Sequence, residues 1–144
     1  MTDHDAIEFI LDHYESPRNC LRLPGATVVM RGSNPACGDV VTLYLQIDAA
    51  QRIERITFMG EGCTISQAAA SLTTTKVEGL SVDEAYALRA PTVVGEMSGS
   101  IVQSRRRCAT LALHTLRAAL TRYQAAALPP SPETRGLHFE EPAS

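Results

Sequence analysis

Residues 40–47, Val-Val-Thr-Leu-Tyr-Leu-Gln-Ile, put Val41, Leu43, Leu45 and Ile47 on one side of an extended chain and mostly polar groups on the other. That period of two predicts a strand with one wet face, which belongs to an antiparallel sheet. Two further short strands are expected, over residues 26–31 and over 53–58 after a turn at Asp48–Arg52. Beyond Gly60 and Gly62 the pattern changes to helix. Residues 64–78 are rich in Ala, Ser and Thr and stop at Gly79, a suitable C′ glycine. Ser81-Val-Asp-Glu84 is a capping box that opens a short helix closed by Pro91. Residues 92–104 read as a loop or a short helix. A strong helix is expected over 106–127, with Leu113, Leu116, Leu120 and Tyr123 toward the core. One helix precedes the strands, over 5–15: Asp5-x-x-Glu8 reads as its cap box, Ile7, Ile10, Leu11 and Tyr14 recur at helical spacing, and Pro17 stops it. Strands followed by helices define an α+β fold, a small three-stranded antiparallel sheet with helices packed on one face.

With 144 residues, the chain has room for one domain, expected over 1–127. The last stretch, 128–144, holds four of the eight prolines and little apolar mass, and is expected to be a mobile tail. A net charge of −3 argues against general attraction to nucleic acid or to an anionic membrane. Three Phe, four Tyr and no Trp make a poor base-stacking platform. No apolar run reaches the ~18–20 residues of a membrane span. Met-Thr-Asp-His-Asp at the N-terminus is acidic where a signal peptide would be basic and then apolar, so a cytoplasmic protein is expected.

A reducing compartment makes disulfides among Cys20, Cys37, Cys63 and Cys108 improbable and turns attention to metal. In Asn34-Pro35-Ala36-Cys37-Gly38-Asp39, Pro35 stiffens the approach and Gly38 permits a positive φ, so a shaped turn leads into a strand. Cys37 and Asp39, two apart, project to the same side of extended backbone. A thiol and a carboxylate converging on one point suit a metal ion; the competing reading is a turn in which Asp39 bonds backbone and Cys37 fills a gap. Cys63, in Gly60-Glu61-Gly62-Cys63, falls at the N-cap or first turn of a helix, where free N–H groups favour an anion. Cys108 repeats that placement behind Arg105, Arg106 and Arg107, an electropositive setting in which a thiolate is favoured. Cys20, in a loop with no activating neighbour, reads as a passenger. The arginine run is otherwise a solvated patch, and His114, six residues past Cys108, does not share its helix face.

Together, Asn-Pro-Ala-Cys37-Gly-Asp39, Gly-Glu-Gly-Cys63-Thr-Ile-Ser and Arg-Cys108-Ala-Thr-Leu resemble the IscU/SufU family, as does His13-Tyr14-Glu-Ser-Pro17-Arg18-Asn19. These are U-type iron–sulfur cluster assembly scaffolds, also found as the N-terminal domain of NifU, and the likeness covers about residues 5–125 in the family order of motifs. The resemblance implies an α+β fold and a site of Cys37, Asp39, Cys63 and Cys108 at one exposed end, supported by Gly38, Gly62, Arg105 and Arg107. Such a site would hold zinc, or iron and a transient [2Fe–2S] cluster, with a cysteine desulfurase supplying sulfur and apo-proteins accepting the cluster. It implies a scaffold without turnover of its own. The alternative is a zinc-dependent sulfur acceptor of SufU type, taking persulfide sulfur on Cys108; a structural zinc domain is the third reading. Arg107 stands where IscU-type proteins carry His, as in SufU-type chains. Yet the 44 residues between Cys63 and Cys108 match the shorter IscU arrangement. Ile101-Val-Gln-Ser104 replaces the segment IscU offers to its chaperone, so that partnership is not expected.

Overall fold

The alternating segment becomes β2 (Asp39–Ile47), the strand around which the sheet is built, in a computed structural model that describes residues 3–97, 105–125 and 131–142. β1 (Val28–Asn34) and β3 (Ile53–Glu61) flank it, both antiparallel. Alternate residues of β1 and β2 are buried, and Leu43, Leu45, Ile56 and Phe58 are fully so. β1 and β3 each run three residues past their expected ends, because the hydrogen-bonded ladder carries weak strand formers such as Gly32, Ser33 and Gly60.

Helices cover the buried face. α1 (Asp3–Glu15) packs on α2 (Thr64–Val77), and α2 packs on β3. Two short helices, α3 (Val82–Tyr86) and α4 (Ala90–Val94), with a 3-10 turn at Gly95–Met97, lead toward α5 (Arg106–Tyr123), which lies on β1 and β2. Leu113, Leu116 and Leu120 of α5 complete the core with Tyr123 partly buried beside them, as their spacing implies. The capping box at Ser81 is present in full: Glu84 N–H donates to Ser81 Oγ (3.1 Å) and Ser81 N–H to Glu84 Oε1 (3.0 Å).

Four expectations need correction. The sheet has four strands, in the order β3-β2-β1-β4, because β4 (His138–Glu140) pairs antiparallel with β1. The segment 131–142 is therefore docked where a mobile tail was expected. Leu137 and Phe139 pack against the core, and the open edge of β1 supplies hydrogen-bonding partners. Pro91 lies in the first turn of α4 instead of closing α3, a position where its missing N–H costs nothing. α1 begins at Asp3, so Asp5 lies inside its first turn and not at its cap. Ile101–Ser104 and the expected end of the last helix at 126–127 lie outside the described residues. No helix among the described residues is long and apolar enough to cross a membrane.

Candidate metal centre

Three separate segments meet at one end of the sheet. The β1–β2 turn supplies Cys37 and Asp39, the β3–α2 junction supplies Cys63, and the first turn of α5 supplies Cys108. The turn is held by Cys37 N–H (3.1 Å) and Gly38 N–H (2.9 Å), both donating to Asn34 O, and Gly38 takes a φ of +72°. Ligand atoms of Cys37, Asp39 and Cys108 all lie within 4.8 Å of one another. Cys37 is exposed, whereas Asp39 and Cys108 are 1% and 2% exposed.

Cys63 completes the group by a different route. It is the N-cap of α2, its Sγ accepting from Ser66 N–H at 3.4 Å, and that sulfur lies 3.8 Å from Asp39 Oδ2. Cys63 N–H donates to Asp39 Oδ1 at 2.9 Å, so the carboxylate is braced from backbone with Oδ2 left toward the sulfurs. The brace requires Gly62. Its φ is +138°, and a Cβ there would lie 2.8 Å from Asp39 Cα. The expected four residues are thus assembled as a cluster of three with Cys63 beside Asp39.

Electrostatics corrects one expectation. Burial pushes the Cys108 thiol far up, reinforced by hydrogen bonding with Asp39 and by Cys63. The three arginines before it do not reverse this. All three are exposed, and the Arg107 guanidinium donates to Arg135 O in the segment before β4. Without a cation the site therefore keeps its buried thiol protonated; a divalent cation inverts that preference, as metal binding deprotonates its thiol ligands. Arg105, the N-cap of α5, makes no side-chain cap and lines a groove with Cys63 and the apolar residues Ile7, Ile10 and Leu11 of α1. Cys20 is exposed, is not in the cluster, and has its thiol pushed up by partial burial.

The residues present fit a metal. Two thiols and a carboxylate within one coordination radius are a donor set for zinc or iron, and the exposed Cys37 leaves the site open on one side. A feature that sequence reasoning missed lies beneath them. Asn34, 1% exposed and directly opposite Asp39 in the ladder, has both side-chain amide atoms buried without a partner among the described residues. Unsatisfied buried groups cost about 1–3 kcal/mol each, and they concentrate at sites that a ligand or an ordered water completes. The motif around Asn34 drew attention to the turn; nothing in it showed that the amide would be sealed in.

A carboxylate braced by backbone, with thiols from three segments around it, makes this an α+β domain with a candidate metal site at one end. The description of the NifU-like N-terminal domain matches residues 6–128. The chain belongs to that family. Among its relatives, the iron–sulfur cluster assembly scaffold protein IscU 1 of Archaeoglobus fulgidus is 32% identical over 114 residues, 79% of this chain and 73% of the relative. The zinc-dependent sulfurtransferase SufU of Bacillus subtilis is 37% identical over 81 residues, 56% of this chain and 54% of that protein. The crystal structure of FiSufU from Fervidobacterium Islandicum AW-1 superposes with a TM-score of 0.69 at 26% identity, covering 78% of this chain and 94% of that one.

Proposed function

We propose that the chain is an iron–sulfur cluster assembly scaffold, collecting iron and sulfide at Cys37, Asp39, Cys63 and Cys108 and passing the cluster to apo-proteins. The observation that carries this reading is the convergence of Cys37, Asp39 and Cys108 from two separate segments to within 4.8 Å. The thiolates supply soft ligands, and the Asp39 carboxylate is a harder ligand that exchanges more readily, which suits a site that must release its cargo. The name of the IscU relative supports the same reading, and that of the SufU relative the second one. A structural zinc role is disfavoured, since Leu43, Phe58, Leu113 and Leu116 are fully buried by packing between the sheet and the helices, and the ligands contribute only Cys108 and the edge of Cys63 to that core.

The second reading is zinc-dependent sulfur transfer from a cysteine desulfurase. Exposure bears on which thiol would act. Cys108 is buried, whereas Cys37 stands at the tip of its turn in reach of a partner's persulfide. On this reading Cys37, not Cys108, attacks the outer sulfur as a thiolate, an S–S bond breaks, and the desulfurase cysteine leaves as thiolate.

Anaerobic purification followed by metal analysis, then addition of iron, cysteine and a desulfurase, separates the readings. A transferable [2Fe–2S] chromophore is expected. Tight zinc with stimulated desulfurase turnover and no chromophore would replace the scaffold with sulfur transfer. Zinc with neither activity would leave only a structural role.

A further inference from the structure

α5 carries a second polar face that takes no part in the metal centre. Arg106, Thr110, His114 and Arg117 follow one another at spacings of three and four, so they share one side of the helix. Opposite that side stand the stretch from Tyr86 to Pro91, joining α3 to α4, and the 3-10 turn Pro132–Thr134. Between them lies a cavity of about 570 Å³, in the size range of small-molecule sites.

Its lining is lopsided in charge. Arg89, Arg106 and Arg117 face it, against the single carboxylate of Glu133. Arg117 is fixed by donating to Leu88 O, which leaves its other N–H groups free to turn inward. Among the described residues, neither the Arg89 nor the Arg106 side chain has a hydrogen bond or an ion pair. His114 is the telling member. It is 5% exposed, lines the cavity, and its ring makes no hydrogen bond to any described residue. A buried imidazole ordinarily has a partner on at least one nitrogen. Here the space where a partner would stand is the cavity itself.

We propose that this cavity binds a small oxyanion, a phosphate or carboxylate group, held by Arg89, Arg106 and Arg117 and hydrogen-bonded by His114. Guanidinium groups match the geometry of both anions, and a charged donor binds them more strongly than a neutral one. The imidazole is tuned to respond. Burial lowers its pKa, and the Arg117 and Arg106 charges act in the same direction, opposed by Glu133. A bound anion reverses the balance, so occupancy is coupled to proton uptake by His114 and strengthens as pH falls. The site shares no lining residue with the metal ligands, so it stands or falls independently of cluster assembly.

The test adds inorganic phosphate and, separately, succinate to the full chain while the ring signals of His114 are followed by NMR across about pH 5.5–8, bracketing the ordinary imidazole pKa. The expected result is a saturable shift of His114 toward its charged form with at least one probe. Saturation by phosphate alone assigns a phosphate ligand, by succinate alone a carboxylate, and by both a general oxyanion site. Arg106→Gln changes an exposed side chain, so it leaves folding intact, and it is expected to weaken binding about tenfold. Absence of saturation with both probes, or an affinity unchanged in Arg106→Gln and Arg89→Gln alike, overturns the proposal.

Discussion

Gly62 and Asp39 are coupled so closely that either one can be used to test the other. A side chain at Gly62 would meet Asp39 and would also force a non-glycine residue to a φ of +138°. Gly62→Ala is therefore expected to destabilise the metal-free chain by about 2–4 kcal/mol, read by urea denaturation, and to displace the carboxylate that zinc titration reports. Asp39 can be dissected further, because it does two things. Asp39→Asn keeps an oxygen for Cys63 N–H but loses the charge, whereas Asp39→Ala also strands that N–H. Metal affinity should fall in both variants, and only the alanine variant should lose a further ~1–3 kcal/mol of fold stability. Equal melting temperatures for the two would show that the brace carries no weight. If Asp39 is the labile corner of the site, its alanine variant also releases a preformed cluster more slowly to an acceptor; faster release refutes that role. Cys37, Asp39, Cys63 and Cys108 were readable from the chain because each lies in a turn or helix start with a local signature. The protonation of Cys108 was not, since its causes, burial and the Asp39 and Cys63 side chains, come together only in three dimensions. The same holds for Asn34, whose amide is sealed in without a partner among the described residues, and for His114, whose ring lines the cavity.

The His13-to-Asn19 motif resolves into a clamp between elements. Ser71 Oγ of α2 accepts from Arg18 N–H (2.9 Å) and is hydrogen-bonded to His13 Nδ1 of α1 (2.8 Å). Asn19, at a φ of +60°, donates from Nδ2 to Thr74 Oγ1 (3.3 Å), and its carbonyl accepts from Phe58 N–H (2.9 Å) of β3. Burial holds the His13 pKa below its ordinary value, helped by Arg18 and opposed by Asp12 and Glu96, so the folded state favours the neutral imidazole. A lowered folded-state pKa means the unfolded chain takes up the proton first on acidification. The stability His13 contributes is therefore complete above about pH 6.5 and drains away as pH falls through the lower folded value. His114 acts with the same sign, while the lowered pKa values of Asp12 and Glu84 matter only in more acid solution. Urea midpoints should fall between about pH 6.5 and 5, and His13→Gln should flatten that slope. A midpoint that stays level or rises across this window would show that the clamp accepts the charged ring. At this scale the period-two and helical patterns foretold β1–β3, α1, α2 and α5, and the capping box foretold α3, whereas α4 and the 3-10 turn, which bury Val93 and Met97, lie at and beyond Pro91 in a stretch with no period to read. They failed where an element is too short to show a period, as in β4, or where proline's meaning depends on which side of it the helix lies, as at Pro91.

On the scale of the molecule, residues 131–142 act as a strap. They extend the sheet through β4, hold Arg107 at Arg135 O, and supply the wall that carries Glu133. Arg31 and Glu140 add an ion pair across the last ladder, Arg31 Nε donating at 2.9 Å, but both side chains are largely exposed and solvent screens it. What the strap contributes is mainly the burial of Leu137 and Phe139 and the closure of the β1 edge. Both apolar side chains are only partly buried, and the core beneath them is made by β1–β3 with α2 and α5. A chain ended after residue 130 should therefore keep its far-UV spectrum and its zinc stoichiometry. Its melting temperature should drop by roughly 3–8 °C, the shift that follows from losing ~1 kcal/mol or somewhat more in a domain of this size. The bared β1 edge should then show itself as concentration-dependent association in size-exclusion chromatography, since an unpaired edge is a template for another chain. Loss of cooperative unfolding on truncation would make β4 part of the core, and an unchanged melting temperature would make the strap energetically idle. Either result would move the boundary of the folding unit away from where packing now draws it.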